Sequence, residues 1–153
     1  MLRISLTLLF VALFCVAICA QKESDPGWKD IASDYLFHYQ YSSNRVTTTP
    51  QGTIKFSMRF SPTVEGFIDQ KARDAVIGVR QQYHKPVNGY GQWAYALVEY
   101  EANCSQQKYR TLGWTDYKAS GTALGSETAT EEWLDVAPGS IAEEMLKKVC
   151  HAK

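Results

Sequence analysis

The chain has 153 residues, enough for one domain, and its 16 basic and 16 acidic side chains give a formal charge of zero. The first twenty residues carry a single charge, Arg3, so without them fifteen basic side chains face sixteen acidic ones and the charge is −1. This balance excludes the basic face that nucleic-acid binding needs and gives no net attraction to anionic membranes.

The N-terminus has the pattern of a secretory signal peptide over residues 1–20. Arg3 precedes an apolar run, Ile4–Ala20, whose end suits a cut before Gln21. Two alternatives stay open: an uncleaved membrane anchor, because the run has about 17 apolar residues, and a lipid on Cys19, although Ile18 stands where a lipobox has a small residue. The main prediction is a cleaved, exported chain, which has no further transmembrane span.

The next segment, residues 21–27 with the sequence QKESDPG, is polar and predicts a flexible start to the mature chain. We place the domain at residues 28–150. YLFHYQY (Tyr35–Tyr41) and IKFSMRF (Ile54–Phe60) alternate with a period of two, which predicts half-buried strands. In the second strand the apolar side chains point inward, and its lysine, serine and arginine point outward. RVTTT between the two predicts a further short strand.

From Val64 the period changes to three- and four-residue steps, which predicts an amphipathic helix that ends near Tyr83. Its apolar stripe consists of Val64, Phe67, Ile68, Ala72, Ala75, Val76, Val79 and Tyr83. Gly66 and Gly78 each weaken the helix by about 1 kcal/mol relative to alanine.

Two long strands follow, in QWAYALVEYEANC and QKYRTLGWTDY, joined by a tight turn near Asn103–Gln106. The first is apolar on both faces where it begins, which predicts a central strand with its aromatic side chains in the core rather than on a binding platform. Strict alternation divides its residues into one set with Trp93, Tyr95 and Leu97 and another with Ala94, Ala96, Val98 and Tyr100. KASGTALGSETATEE then predicts a long turn or loop, and WLDV a short strand.

The last segment, PGSIAEEMLKKVC, predicts a helix that ends at Cys150. Ser140 and Glu143 have the spacing of a capping box, in which each side chain accepts a hydrogen bond from the other residue's backbone amide. The buried face consists of Ile141, Ala142, Met145, Leu146 and Val149. The order of elements predicts an α+β domain: a small antiparallel β-sheet with a C-terminal helix and a second amphipathic helix inserted mid-chain.

Signal cleavage leaves two cysteines, Cys104 and Cys150, and in an exported chain such a pair favours one disulfide. That disulfide would tether the C-terminal helix to the sheet. A zinc site is the first alternative, although two cysteines without nearby paired histidines are a poor ligand set. A nucleophilic cysteine is the second, with no third cysteine to complete a redox pair.

No local motif for catalysis occurs in the sequence. His38, His84 and His151 share no motif, and the chain has no nucleophile elbow, phosphate loop, dinucleotide fingerprint or metalloprotease helix. We therefore predict a non-enzymatic protein with no catalytic residue, metal site or cofactor.

The segments ALVEYEANC, KYRTLGWTDY, EW, PGS and AEEMLKKVC, in this order, resemble the bacterial surface-adhesin protein E-like domain family. The resemblance spans about residues 28–150 and is strongest from Gly89 onward. It implies a small antiparallel sheet whose C-terminal helix is bridged to a strand by a disulfide, with the helix Val64–Tyr83 as an insertion. It also implies an exported surface protein that binds an extracellular-matrix or envelope protein.

Two hypotheses of function follow. The first is an exported binding domain whose partner-binding residues the sequence does not identify; the second is a periplasmic enzyme or small-ligand-binding protein with a site of scattered residues. An exposed apolar patch would favour the first, and a deep pocket with converging polar groups would favour the second.

Overall fold

The computed structural model describes residues 27–63, 67–129 and 132–152. The described residues form one antiparallel sheet and two α-helices. The strands are β1 Trp28–Ser33, β2 Phe37–Ser42, β3 Thr47–Thr48, β4 Ile54–Pro62, β5 Trp93–Asn103, β6 Lys108–Lys118, β7 Ala123–Thr128 and β8 Leu134–Asp135. The helices are α1 Phe67–Gln82 and α2 Ile141–Cys150, with short 3₁₀ turns at Ser43–Arg45 and Tyr90–Gln92.

The sheet order is β1-β2-β4-β5-β6-β7, with β3 paired to β4 and β8 paired to β6. β5 is therefore central, as its two apolar faces predict. The α+β fold class is confirmed, and so is the tight turn between β5 and β6. The signal peptide predicted for residues 1–20 lies outside the described residues. Gly27, predicted in the flexible segment, accepts hydrogen bonds from the Ser43 amide and hydroxyl at 2.7 and 3.0 Å.

Both helices cover the same face of the sheet, and alternation along β4 shows this directly. Ile54, Phe56 and Met58 pack in one cluster with α2, whereas Phe60 packs against a second cluster that includes Ala72 of α1. Residues two apart on a strand share a face, so the two helices sit side by side over different parts of one surface. The opposite face carries polar pairs such as Ser57 with Glu99, at 2.7 and 2.9 Å.

The C-terminal helix is fixed by a cap, an apolar face and a disulfide. The Ser140 hydroxyl accepts a hydrogen bond from the Glu143 amide at 3.2 Å. The Glu143 carboxylate accepts from the amide of Gly139 at 2.7 Å, one residue before the position that the capping box predicts. Cys104 and Cys150 form the disulfide, with Cα atoms 5.9 Å apart, inside the usual 4.4–6.8 Å range. Met145, Leu146 and Val149 are buried, as the predicted face requires.

Two sequence predictions are wrong in detail. The segment expected to be a long loop contains β7, because a turn closed by the Gly121 amide on the Lys118 carbonyl brings it back along β6. Pairing with a long neighbouring strand thus outweighs a weak intrinsic propensity. Strict alternation along β5 also fails, because a register shift between Trp93 and Tyr95 turns Trp93 to the helix side, where it packs with Ala96.

Neither α1 nor α2, the helices within the described ranges, is long and apolar enough to cross a membrane.

Candidate functional site

An apolar groove of about 640 Å³ lies between α1 and the sheet. We call it the α1 groove. Its floor consists of Phe37 and Phe60 together with Val98, Tyr100 and Trp114, and its helical wall of Ala75, Val76, Val79 and Tyr83. Two smaller depressions, of about 400 and 460 Å³, have mixed polar linings. The α1 groove is therefore the main candidate site in the described part of the chain.

The apolar stripe of α1 packs against the protein over only part of its length. Ala72 is fully buried, in contact with the cluster that contains Tyr90 and Trp93. Two and three turns further along, the stripe faces the groove, and Val79 and Tyr83 are 55% and 66% exposed. Val64 lies outside the described residues. From Ala72 onward the predicted stripe is therefore present, but its C-terminal half borders an open space instead of a filled core.

Arg80 interrupts the apolar stripe and anchors the end of α1. It is 8% exposed, and its Nη1 lies 3.3 Å from an Asp116 carboxylate oxygen. Its Nε donates to the Pro86 carbonyl at 3.0 Å, and its guanidinium lies 4.5 Å from the centre of the Tyr90 ring. A buried charge needs such partners. These contacts anchor the end of α1 to β6 and to the segment that follows the helix.

Asp116 is the centre of this buried network. It is 3% exposed and accepts hydrogen bonds from the Tyr90 hydroxyl at 2.8 Å and from the Trp93 indole at 3.0 Å, in addition to its contact with Arg80. Burial raises the pKa of Tyr90, and its hydrogen bond to Asp116 raises it further. Tyr90 therefore stays a neutral donor at physiological pH.

Glu127 on β7 completes the polar end of the α1 groove. One carboxylate oxygen lies 3.3 Å from Arg80 Nη1 and the other 2.7 Å from Lys85 Nζ. The first of these oxygens is buried and makes no hydrogen bond of good geometry. Two cations and two carboxylates meet here, so this end of the groove is polar but has no net formal charge.

The sequence profile of the surface-adhesin protein E family matches residues 65–151, more than half of the chain. The chain belongs to the surface-adhesin protein E family. The match covers α1, β5 to β8 and α2, and so both cysteines of the disulfide and most of the α1 groove. Strands β1 to β4 lie outside the match, although β2 and β4 supply part of the groove floor. Searches of curated proteins and of solved structures find no significant match.

The three histidines of this family member lie on different elements. His38 on β2 faces Asp30, with Nε2 and Oδ1 3.1 Å apart, while His84 follows α1 and His151 follows α2. Among the residues with described positions, no three His, Cys, Asp or Glu side chains form a cluster suited to a metal ion.

Sequence reasoning missed the α1 groove, although two signals pointed to it. Arg80 falls within the apolar stripe, and Asp116 follows Trp114 in GWTDY at the spacing that places both on one strand face. Either charge, once placed on an inward-facing position, requires a buried partner. The strand β5, for which a binding platform was the alternative to core packing, contributes Val98 and Tyr100 to the groove, while Trp93 is fully buried as the core interpretation predicts.

Proposed function

We propose that this protein is an exported, non-enzymatic binding domain that attaches to a protein partner at the bacterial surface through the α1 groove. The observation that carries the proposal is the exposed apolar wall of α1 at Val79 and Tyr83, facing an aromatic floor. Exposed apolar surface of this kind marks interaction sites in soluble proteins. Membership of a surface-adhesin family supports the same conclusion.

Export is part of the proposal. The signal pattern of residues 1–20 supports it, and the disulfide between Cys104 and Cys150 is of the kind that persists in oxidising compartments. We take residues 28–150 as the binding domain, after a short N-terminal segment at residues 21–27. The partner is an extracellular-matrix or envelope protein; the balanced charge of the chain supports neither a nucleic acid nor a charged lipid surface.

A second candidate function is the binding of a small apolar molecule. The volume of the α1 groove, about 640 Å³, lies within the range of about 300–1,000 Å³ that ligand pockets occupy. Polar groups also converge at one end, where Arg80, Lys85, Asp116 and Glu127 meet. We rank this candidate second because α1 leaves the groove open along its wall, whereas ligand pockets bury most of the ligand's surface.

The test uses purified, oxidised protein that begins at Gln21, immobilised and exposed to a panel of matrix and envelope proteins. Val79→Glu places a charge on the groove wall, and Leu134→Glu is the matched control because Leu134 is 44% exposed outside the groove. We expect Val79→Glu to weaken binding about tenfold or more, which corresponds to about 1.4 kcal/mol, and Leu134→Glu to bind like the wild type.

Equal affinity of the two variants would show that the partner binds elsewhere. An apolar fluorescent dye, N-phenyl-1-naphthylamine, decides between the two candidates. Dye that enters the groove and is displaced by the bound protein supports the first function. Dye that binds to a protein with no affinity for any member of the panel supports the second.

A further inference from the structure

Strand β7 is an edge of the sheet, and its outer side is unpaired among the residues that the structure describes. The Ala129 amide donates to the Leu112 carbonyl on β6, so the backbone groups of residue 129 point inward. Because a strand alternates these directions residue by residue, the amide and carbonyl groups of Ser126 and Thr128 point away from β6. Both residues are exposed. β7 thus offers a row of free donors and acceptors to a further strand.

From Gly125 to Thr128 this edge lacks the features that usually block strand addition. Proteins protect sheet edges with lysine, proline, bulges that twist the edge away, or a covering helix. The sequence of β7, ALGSET, contains no lysine or proline, and its single charge, Glu127, is paired with Arg80 and Lys85. The pairing of β7 with β6 has a register shift near the start of β7, but Ser126 to Thr128 pair with β6 in regular register. At the other edge of the sheet, β1 has a register shift between Asp30 and Ala32 and packs Ile31 against the α2 cluster.

The open edge and the α1 groove are continuous, because Glu127 belongs to both. Side chains of Ser126 and Thr128 lie on the opposite face of the sheet, so every second residue of an added strand would point toward the groove. Such a strand would combine backbone hydrogen bonds along β7 with a pocket for alternate side chains. This combination is the recognition mode called β-strand addition.

We propose that the protein partner contributes an extended segment that pairs with the outer edge of β7 and inserts an uncharged, apolar side chain into the α1 groove. The inserted side chain is uncharged because Arg80 and Lys85 are already matched by Asp116 and Glu127. A charged group there would be desolvated without a free counter-charge. This inference rests on the proposed function, since it specifies how the partner binds at the same groove.

The experiment selects short random peptides, displayed on phage, for binding to oxidised protein that begins at Gln21, and uses the selected peptides as the probe. Ser126→Pro removes one outward-facing amide of β7. Ser126→Ala is the matched control, because it keeps the amide and loses the same hydroxyl contact with Thr115. We expect Ser126→Pro to weaken binding about tenfold or more and Ser126→Ala to leave it within about twofold.

Two further measurements report the pairing itself. The Ser126 and Thr128 amides should gain protection from hydrogen exchange when the peptide binds, which a change in folding would not produce. A methyl group on the backbone nitrogen of the peptide should abolish binding when it is placed on an amide that faces β7. It should be tolerated on the alternate amides, which point away from β7. Circular dichroism and the urea midpoint show whether Ser126→Pro is folded; if it is not, the exchange and N-methylation results decide alone.

Three outcomes would overturn strand addition. In the first, peptides lose affinity for Val79→Glu but bind folded Ser126→Pro normally. The peptides would then bind in the groove without pairing with the edge of β7. Failure to select any peptide would show that no extended segment binds. Light scattering that reveals a dimer lost in Ser126→Pro would assign the edge to a second copy of this chain. The proposed function fails separately, when Val79→Glu and Leu134→Glu bind the protein panel equally.

Discussion

Replacing Asp116 with asparagine tests whether the buried network holds α1 in place. One carboxylate oxygen accepts from Tyr90 and faces Arg80, and the other accepts from the Trp93 indole. Asparagine has one acceptor and one NH₂ donor, so in either orientation at least one of these buried donors meets another donor. An unsatisfied buried donor costs about 1–3 kcal/mol. The lost charge also leaves Arg80 with Glu127 as its remaining carboxylate.

The two effects together predict a loss of about 3–5 kcal/mol in the free energy of unfolding, the range found when one member of a buried ion pair is removed. That is a large fraction of the stability of a typical domain, about 5–15 kcal/mol. The assay is urea denaturation of the oxidised protein, followed by tryptophan fluorescence and by circular dichroism. The urea midpoint should fall with little change in the slope of the transition.

Asp135→Asn is the matched control for Asp116→Asn, because the Asp135 side chain is 84% exposed and lies 3.4 Å from Lys108. An exposed pair contributes about 0–1 kcal/mol, so the control should unfold near the wild-type midpoint. A loss of less than about 1 kcal/mol in Asp116→Asn would refute the reasoning. It would mean that water or a rearranged side chain satisfies the network, and that α1 is not held by it.

The remaining predictions concern the tether, the cap and acid stability. Cys150→Ser should cost about 2–4 kcal/mol and raise hydrogen exchange first in α2, because the bridge closes a loop with a sequence separation of 46; uniform exchange throughout the sheet would contradict this. Ser140→Ala should lower the unfolding free energy by about 1 kcal/mol through loss of the cap, and an unchanged urea midpoint would place the helix start elsewhere. Burial alone would raise the pKa of Glu101, but hydrogen bonds from Thr53 and Arg110 hold that pKa below its ordinary value of 4.5. Ionised Glu101 therefore stabilises the fold above pH 4.5, and its advantage over Glu101→Gln should disappear as the pH falls through the lowered pKa; a difference that stays constant with pH would exclude the effect.

Local signals were sufficient for the elements whose stability is local or whose pattern is strong. The cap at Ser140 and the apolar face that ends at Cys150 lie within about a dozen consecutive residues, and α2 forms there. The alternation from Ile54 to Phe60 gives β4 because one of its faces is covered by helices. These predictions needed only the periodicity of the sequence and the chemistry of helix ends.

Features that depend on distant partners could not be predicted from the sequence in the same way. β7 exists because β6 offers it an edge, and no propensity in ALGSET requires a strand. The bulge beside Trp93 reverses the side on which that residue lies, and strict alternation cannot reveal an extra residue. The α1 groove is a property of how far α1 stands from the sheet. One contact that contributes to that distance joins Arg80 to Asp116, which are 36 residues apart.

The same contact explains why the groove stays open instead of collapsing. Moving α1 onto the sheet would bury Val79 more completely, and full burial of such a side chain yields about 1.5–3 kcal/mol. The movement would also have to displace Arg80 from Asp116, and breaking a buried ion pair costs about 3–5 kcal/mol. For Val79 alone the second quantity is the larger, so the buried ion pair opposes closure of the groove. A partner side chain that fills the groove gains the apolar contact without disturbing the ion pair. Because the walls are already in position, binding needs little reorganisation of the protein, which is the condition under which a small apolar surface can give useful affinity.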